Sequence, residues 1–495
     1  MTTSAGSFDA EDLARFGYPQ QLRRSLGSYA SFAAGFSFIS VLTTVFQLFF
    51  IGFSFGGAAF FWTWPIVAIG QLAVAACFAE LAARYPISGC IYQWSRRLST
   101  PTVGWFTGWT MLVGQIVTVA ASAIALQVVL PTLWSGFQIT GEDRSLTSTS
   151  GATNAVLLGA ILIGATTALN VLGVRIMAMI NSVGVTCELV GAVALVVLLL
   201  THSERGPDAV LHQTGAPDES GYLGLFLISS LMAATVMLGF DSAGELAEET
   251  RDPRRTAPRA IMRALLTSSF VGGLLLIAAI MAAPSLTDGQ LAASGLPYVL
   301  TSSLGDTVGK IFLADVAVAI CVCTLAIQSA AMRMMFSMSR DGALPFSDRL
   351  SAVSSTTGTP VLPAIIVGVL AVTILIVNLG QSAIFAALVS VEVVLIYLAY
   401  LMVTLPMLLR RLRGGIPEAE TGLFSLGRWG LLVNIVAVVF GFLIALNVAW
   451  PRAEVYDPAA AHWYLQYFAP LFIVGSFVGG ALAWRRRRSV YGPHT

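Results

Sequence analysis

Groups able to do chemistry concentrate in one stretch, Gly239-Phe240-Asp241-Ser242-Ala243-Gly244-Glu245-Leu246-Ala247-Glu248-Glu249-Thr250-Arg251-Asp252-Pro253. It follows an apolar run, Leu223 to Leu238, long enough to enter a membrane. A glycine and then a carboxylate arrive before that run is complete. An ionisable side chain at such depth is costly unless it faces protein or water, which marks it as functional. A membrane helix broken at glycine beside such a group suits the holding of an ion or a polar solute. The competing reading ends the helix at Leu238 and leaves Asp241 in water. The i, i+4 spacing of Glu245 and Glu249 continues the helical pattern and favours the first reading.

The elements that must position these groups follow from composition. The chain is 56% hydrophobic and 11% charged, with a mean hydropathy of +0.80. A soluble domain carries about 25% charged residues, so the class is an all-α multispanning membrane protein. Apolar runs of roughly 20 residues exclude the roughly 10-residue alternating segments of a membrane β-barrel. Twelve spans are expected, near 29–53, 58–83, 102–131, 154–174, 180–201, 222–247, 260–283, 309–338, 361–379, 382–409, 429–450 and 465–484. The polar first 28 residues lack the pattern of a removable signal peptide.

Placing the N-terminus in the cytoplasm puts 23 of the 27 Lys and Arg residues on the cytoplasmic side. The remaining four are Arg144, Arg205, Lys310 and Arg452. This asymmetry predicts that both termini are inside, with an even number of spans. The formal net charge of +1 gives no reason to expect nucleic acid. The five cysteines read as packing residues, with neither a disulfide nor a metal site expected. His202, His212, His462 and His494 lie in loops or at the terminus. With no Walker loop either, the sequence points away from an enzyme and from transport driven by ATP hydrolysis within this chain.

Four ordered stretches now matter together: Glu80-Leu81-Ala82-Ala83-Arg84-Tyr85-Pro86-Ile87-Ser88-Gly89-Cys90-Ile91-Tyr92, Asn170-Val171-Leu172-Gly173-Val174-Arg175, the segment 239–260, and Arg340-Asp341-Gly342-Ala343-Leu344-Pro345. On twelve spans, in this order, they resemble the amino acid–polyamine–organocation permeases, in particular the amino acid–choline (GABA permease-like) branch. The resemblance implies a LeuT-type fold of two inverted five-helix repeats plus two extra helices. The divisions would be a cytoplasmic tail 1–28, repeats 29–201 and 222–409, a helix pair 429–484 and a cytoplasmic tail 485–495. It also implies that spans one and six are unwound near the midplane.

On that reading, Ser40, Val41, Leu42, Thr43 and Thr44 stand at the first break, where related permeases often carry a Gly-rich sequence. Exposed N–H groups at the start of the second half-helix suit a substrate carboxylate. The alternative is that these hydroxyls bond back to their own helix. Gly239, Phe240, Asp241 and Ser242 form the second break, where Asp241 meets a substrate ammonium or takes up a proton. Gln115 in span three is a pocket candidate, whereas Glu392 in span ten reads as a structural hydrogen-bonding partner. Some proton-coupled relatives carry a lysine where this chain has Glu188, so Glu188 is expected to take a proton or bind a cation, with Cys323 and Thr324 nearby. Glu248, Glu249, Arg251 and Arg255 are expected to form a cytoplasmic gate, its ion pairs shared with Arg84 or Arg340, against the alternative of a solvated helix cap.

The function expected is secondary transport of a small amino acid or amine into the cell across the plasma (inner) membrane. No cofactor is expected beyond a coupling ion, a proton rather than sodium. Sodium-coupled transport or exchange of choline, ethanolamine or a polyamine is the alternative, and a channel or membrane receptor is the rival class. Substrate and membrane lipid are the partners expected; the sequence leaves the oligomeric state open.

Overall fold

The computed structural model describes residues 13–146, 148–217, 221–377, 379, 384–416, 420, 422–452 and 463–487. The expected tails therefore fall partly outside the described residues, at 1–12 and 488–495. Ten helices are long and apolar enough to cross a membrane, and two shorter apolar ones, Tyr222–Val236 and Val361–Val377, bring the spans to twelve. Most coincide with an expected span to within a few residues, but the sixth helix stops at Val236 rather than 247 and the seventh starts at Pro253 rather than 260.

Local chemistry sets many of the ends. Pro101 opens the third span behind Thr100, whose hydroxyl accepts from the Val103 N–H. Ser148 caps the fourth span, Thr149–Leu172, by accepting from the Gly151 N–H at 3.0 Å. Gly173, with φ 122°, separates that helix from the fifth span, Val174–Thr201.

Burial sorts the spans into an inner and an outer set. The first span is 94% buried within the protein along its most apolar window, and the twelfth, Phe468–Arg487, only 11%. Among the ten long spans, one, two, three and ten are the most buried, at 78% or more, and eleven and twelve the least, at 33% and 11%. Lipid tails are as apolar as leucine, so the inner set is held by close packing and interhelical hydrogen bonds. The polar residues of the inner helices are accordingly the informative ones.

Both expected breaks are present. The first span is two helices, Ser28–Ile39 and Val41–Gly56, joined at Ser40 in a left-handed conformation, φ 37° and ψ 89°. The sixth span is a helix, Tyr222–Val236, an unwound stretch, and the short turn Ser242–Glu245. Gly239 sits in that stretch at φ 88°, and a Cβ there would run into the Phe38 ring. Glycine is thus required twice, by the backbone angle and by the neighbour. The first helix of span six packs along the second helix of span one, so the two breaks face each other.

Two elements were not expected. A short helix, Cys90–Leu98, lies largely buried between spans two and three. Residues 13–26 run across the arginine-rich end of the bundle and join Leu26 to Thr250 through a single β-bridge.

Candidate functional site

A narrow cavity lies between the breaks. Its lining includes Phe38, Thr43 and Thr44 from span one, and Thr118 and Ser122 from span three. Thr235 and Leu238 come from span six, Cys323 from span eight and Glu392 from span ten. The hydroxyl residues Thr43 and Thr44 stand in the first turn of a helix, where the dipole favours negative charge. Thr235 and Leu238 flank the C-terminal end of another helix, where it favours positive charge. A cavity lined by hydroxyls and one carboxylate between two helix ends suits a dipolar or amine-bearing solute.

Glu188 reaches the first break from span five. Its Oε1 accepts from the Leu42 N–H at 3.0 Å and from the Ser40 hydroxyl at 3.0 Å. The Ser40 and Thr43 hydroxyls lie 2.6 Å apart. An unwound helix frees backbone N–H groups that must find partners inside a membrane; here a buried carboxylate is that partner. Of the other coupling candidates, the Cys323 thiol donates to the Phe38 carbonyl at 3.6 Å. Thr324 donates to Ile320 within its own helix and lies 3.2 Å from the Ser122 hydroxyl.

Asp241 is buried at the second break and does not line the cavity. The Tyr400 hydroxyl donates to its Oδ1, and the Gly239 N–H donates to that same hydroxyl at 3.1 Å. Phe240 is packed between Phe78 and Tyr400, with ring centroids at 5.9 and 5.5 Å. A packed ring in this position serves the break from behind rather than facing the cavity. Ser242 donates to the Ala34 carbonyl at 3.0 Å and so joins the two broken spans. Val41 and Leu42 are fully buried, and Leu42 contributes its backbone N–H. Gln115 is fully buried with both polar atoms lacking a partner among the described residues, and it lies outside the cavity lining. Glu392 changes role: it lines the cavity and its Oε2 has no described partner.

The acidic segment after the second break is not a solvated cap. Glu245, Glu248 and Glu249 are all fully buried. Arg340 makes a bidentate pair with Glu248, at 2.8 and 2.9 Å, and Arg333 pairs with Glu249 at 2.6 Å. Of the expected arginines, Arg340 is in place on Glu248, while Arg84, Arg251 and Arg255 pair with neither Glu248 nor Glu249 among the described contacts. Arg84 pairs with Glu80 at 2.9 Å, one turn along its own helix. Arg251 and Arg255 are exposed. Distance along a sequence does not reveal that span eight, rather than the neighbouring loop, faces these glutamates.

The same segment grips the loop after span two. Glu248 accepts from the Ser88 N–H at 3.1 Å and Glu245 from the Gly89 N–H at 2.9 Å. Cys90, Asp241 and Glu245 bring three ligand-type atoms within 4.8 Å of one another. The cysteine was expected to pack and nothing more. Its thiol donates toward Glu245 at 3.5 Å and the Asp241 carbonyl at 3.6 Å, which makes it a hydrogen-bonding member of the closure.

The N-terminal strap completes that end. The N–H groups of Ser25 and Leu26 donate to the Glu249 carbonyl at 2.9 Å, and the Arg251 N–H donates to the Leu26 carbonyl at 3.0 Å. Tyr18 donates to Asp341 at 2.8 Å, and the Arg340 guanidinium lies 4.0 Å from the Tyr18 ring centroid.

A family model described as amino acid permease matches residues 26–477. The chain belongs to the amino acid permease family. This permease is 29% identical over 483 residues to the amino-acid permease BAT1 of Arabidopsis thaliana, covering 90% of this chain and 91% of that one. It is 25% identical to the thiamine transporter thi9 of Schizosaccharomyces pombe, covering 89% and 80%. A solved structure of MhsT in complex with L-phenylalanine superposes with a TM-score of 0.60 at 16% identity, covering 86% of the permease and 99% of MhsT. That likeness gives the LeuT-type fold; the family match makes the protein a membrane transporter rather than an enzyme.

Proposed function

We propose that this permease carries a small amino acid or amine into the cell by alternating access, coupled to a proton through Glu188. The observation behind the reading is the seat of Glu188 on the Ser40–Leu42 break. A carboxylate at this depth is held by a proton or a cation. Its charge state acts on the backbone N–H and hydroxyl that shape the broken helix, so ion uptake and helix geometry are one event.

The cavity between the two breaks takes the substrate, with its carboxylate toward Thr43 and Thr44. The buried pairs Glu248–Arg340 and Glu249–Arg333 form the closed gate. The arginine-rich end is cytoplasmic and the membrane is the plasma membrane, in keeping with the arginine asymmetry. The relatives named as amino-acid permeases favour an amino acid. The relative named as a thiamine transporter keeps organic cations such as choline among the substrates to be tried.

The test is uptake into proteoliposomes with an imposed proton gradient, a sodium gradient or neither. Accumulation driven by protons in the wild type, and abolished in Glu188→Gln with counterflow retained, is the expected result. Sodium-driven accumulation that survives Glu188→Gln would overturn the proton assignment. Flux without saturation or counterflow would identify a channel.

A further inference from the structure

We propose that Glu392 is the residue that recognises the positively charged nitrogen of the substrate; this rests on the transport reading above and assigns the amine to span ten rather than to Asp241. Three observations converge. Glu392 is 4% exposed, lines the cavity, and is the only charged residue among the described lining residues. Its Oε2 has no described partner. A buried carboxylate beside a cavity, with an oxygen that lacks a partner, is incomplete until a donor arrives.

Asp241, by contrast, is withdrawn from the cavity. Tyr400 donates to one of its oxygens, and although the other has no described partner, Asp241 is absent from the cavity lining. Glu188 is likewise committed to the first break. Of Asp241, Glu188 and Glu392, the last is therefore the one placed to meet a solute.

The neighbours agree with a cation at this point. Thr235 and Leu238 bring the C-terminal end of the first span-six helix to the same cavity, and its carbonyl dipoles add to the negative potential. Thr43 and Thr44 bring the opposite polarity at a helix start. A solute with an ammonium and a carboxylate lies across the cavity with its ends sorted, whereas an organic cation without a carboxylate needs only the Glu392 end.

The experiment presents wild-type proteoliposomes with radiolabelled L-alanine, L-phenylalanine, GABA and choline, and carries the best-accumulated probe into Glu392→Gln and Glu392→Asp. Wild type is also challenged with the analogue lacking the charged nitrogen: propionate, 3-phenylpropionate, butyrate or 3,3-dimethylbutan-1-ol. The expected result is a KM raised roughly 30-fold or more in Glu392→Gln, the lower range for removing one partner of a buried charge pair. Glu392→Asp keeps part of the affinity. The amine-free analogue competes correspondingly weakly with wild type, and the two losses do not add in the variant. Failure of wild type to accumulate any of the four probes overturns the transport reading and this proposal with it. An unchanged KM in Glu392→Gln, with or without a lowered melting temperature, overturns the proposal alone. Equal competition by the amine-free analogue in wild type does the same without any variant.

Discussion

The Glu188 carboxylate accepts the backbone N–H of Leu42 at 3.0 Å, across the break that Ser40 introduces into the first span. A side chain of one helix thus completes the hydrogen bonding of another at the point where that helix opens. Glu188→Gln keeps an acceptor oxygen for Leu42 and Ser40 but cannot change charge. It should melt within a few degrees of wild type and lose proton-driven accumulation. Glu188→Ala leaves the Leu42 N–H without that partner and should cost about 1–3 kcal/mol, read by thermal unfolding in detergent.

Arg340→Ala leaves the fully buried Glu248 uncompensated. The expected destabilisation is about 3–5 kcal/mol, and the double variant Arg340→Ala with Glu248→Gln should recover part of it. Site-resolved alkylation should show faster labelling of Cys90, which lies buried behind this pair. Arg84→Ala, which acts on Glu80, should leave Cys90 labelling unchanged.

Burial, and then the Asp341 carboxylate, raise the Tyr18 phenol above its ordinary range. A raised folded value means that this contribution to stability is complete below the unfolded phenol value, about 10. It is lost as pH climbs from there through the folded value. Tyr18→Phe should therefore lose the Asp341 contact at neutral pH and show a shallower alkaline decline, measured as melting temperature from pH 8 to pH 11.

Gly239→Ala places a methyl group against the Phe38 ring and holds a side-chain residue at φ 88°. The backbone term alone costs about 1–3 kcal/mol. Uptake should fall with stability, and Phe38→Ala in the same chain should relieve the steric part, which the melting temperature of the double variant would reveal.

Much of this architecture was legible in the sequence. Apolar length gave the twelve spans, and Gly239 beside Asp241 marked the second break. Ser40 carried the first break without the glycine that usually announces one, and the ordered motifs pointed to it. Glu188 was legible as a departure at a coupling position. What stayed hidden was long-range. Asp241 and Glu392 both read as isolated carboxylates in apolar runs, and only the packing of span ten shows which one faces the cavity and which one Tyr400 holds. The sequence offers Arg340 as a gate partner but gives no sign of Arg333. Glu248 and Glu249 turn inward while Arg251 and Arg255 stay in solvent, so the counter-charges come from Arg333 and Arg340. Residues 13–26 gave no apolar signal, since they bind through backbone groups and Tyr18.

The N-terminal strap also orders the protein's assembly in time. Gln20 donates to the Glu248 carbonyl across 228 residues of sequence. At about 5–20 residues per second of synthesis, roughly ten to fifty seconds pass between the emergence of the strap and that of its dock. The strap therefore waits, undocked, until the segment after the sixth span has been made, and the ion pairs around its dock wait longer still for Arg333 and Arg340 of span eight.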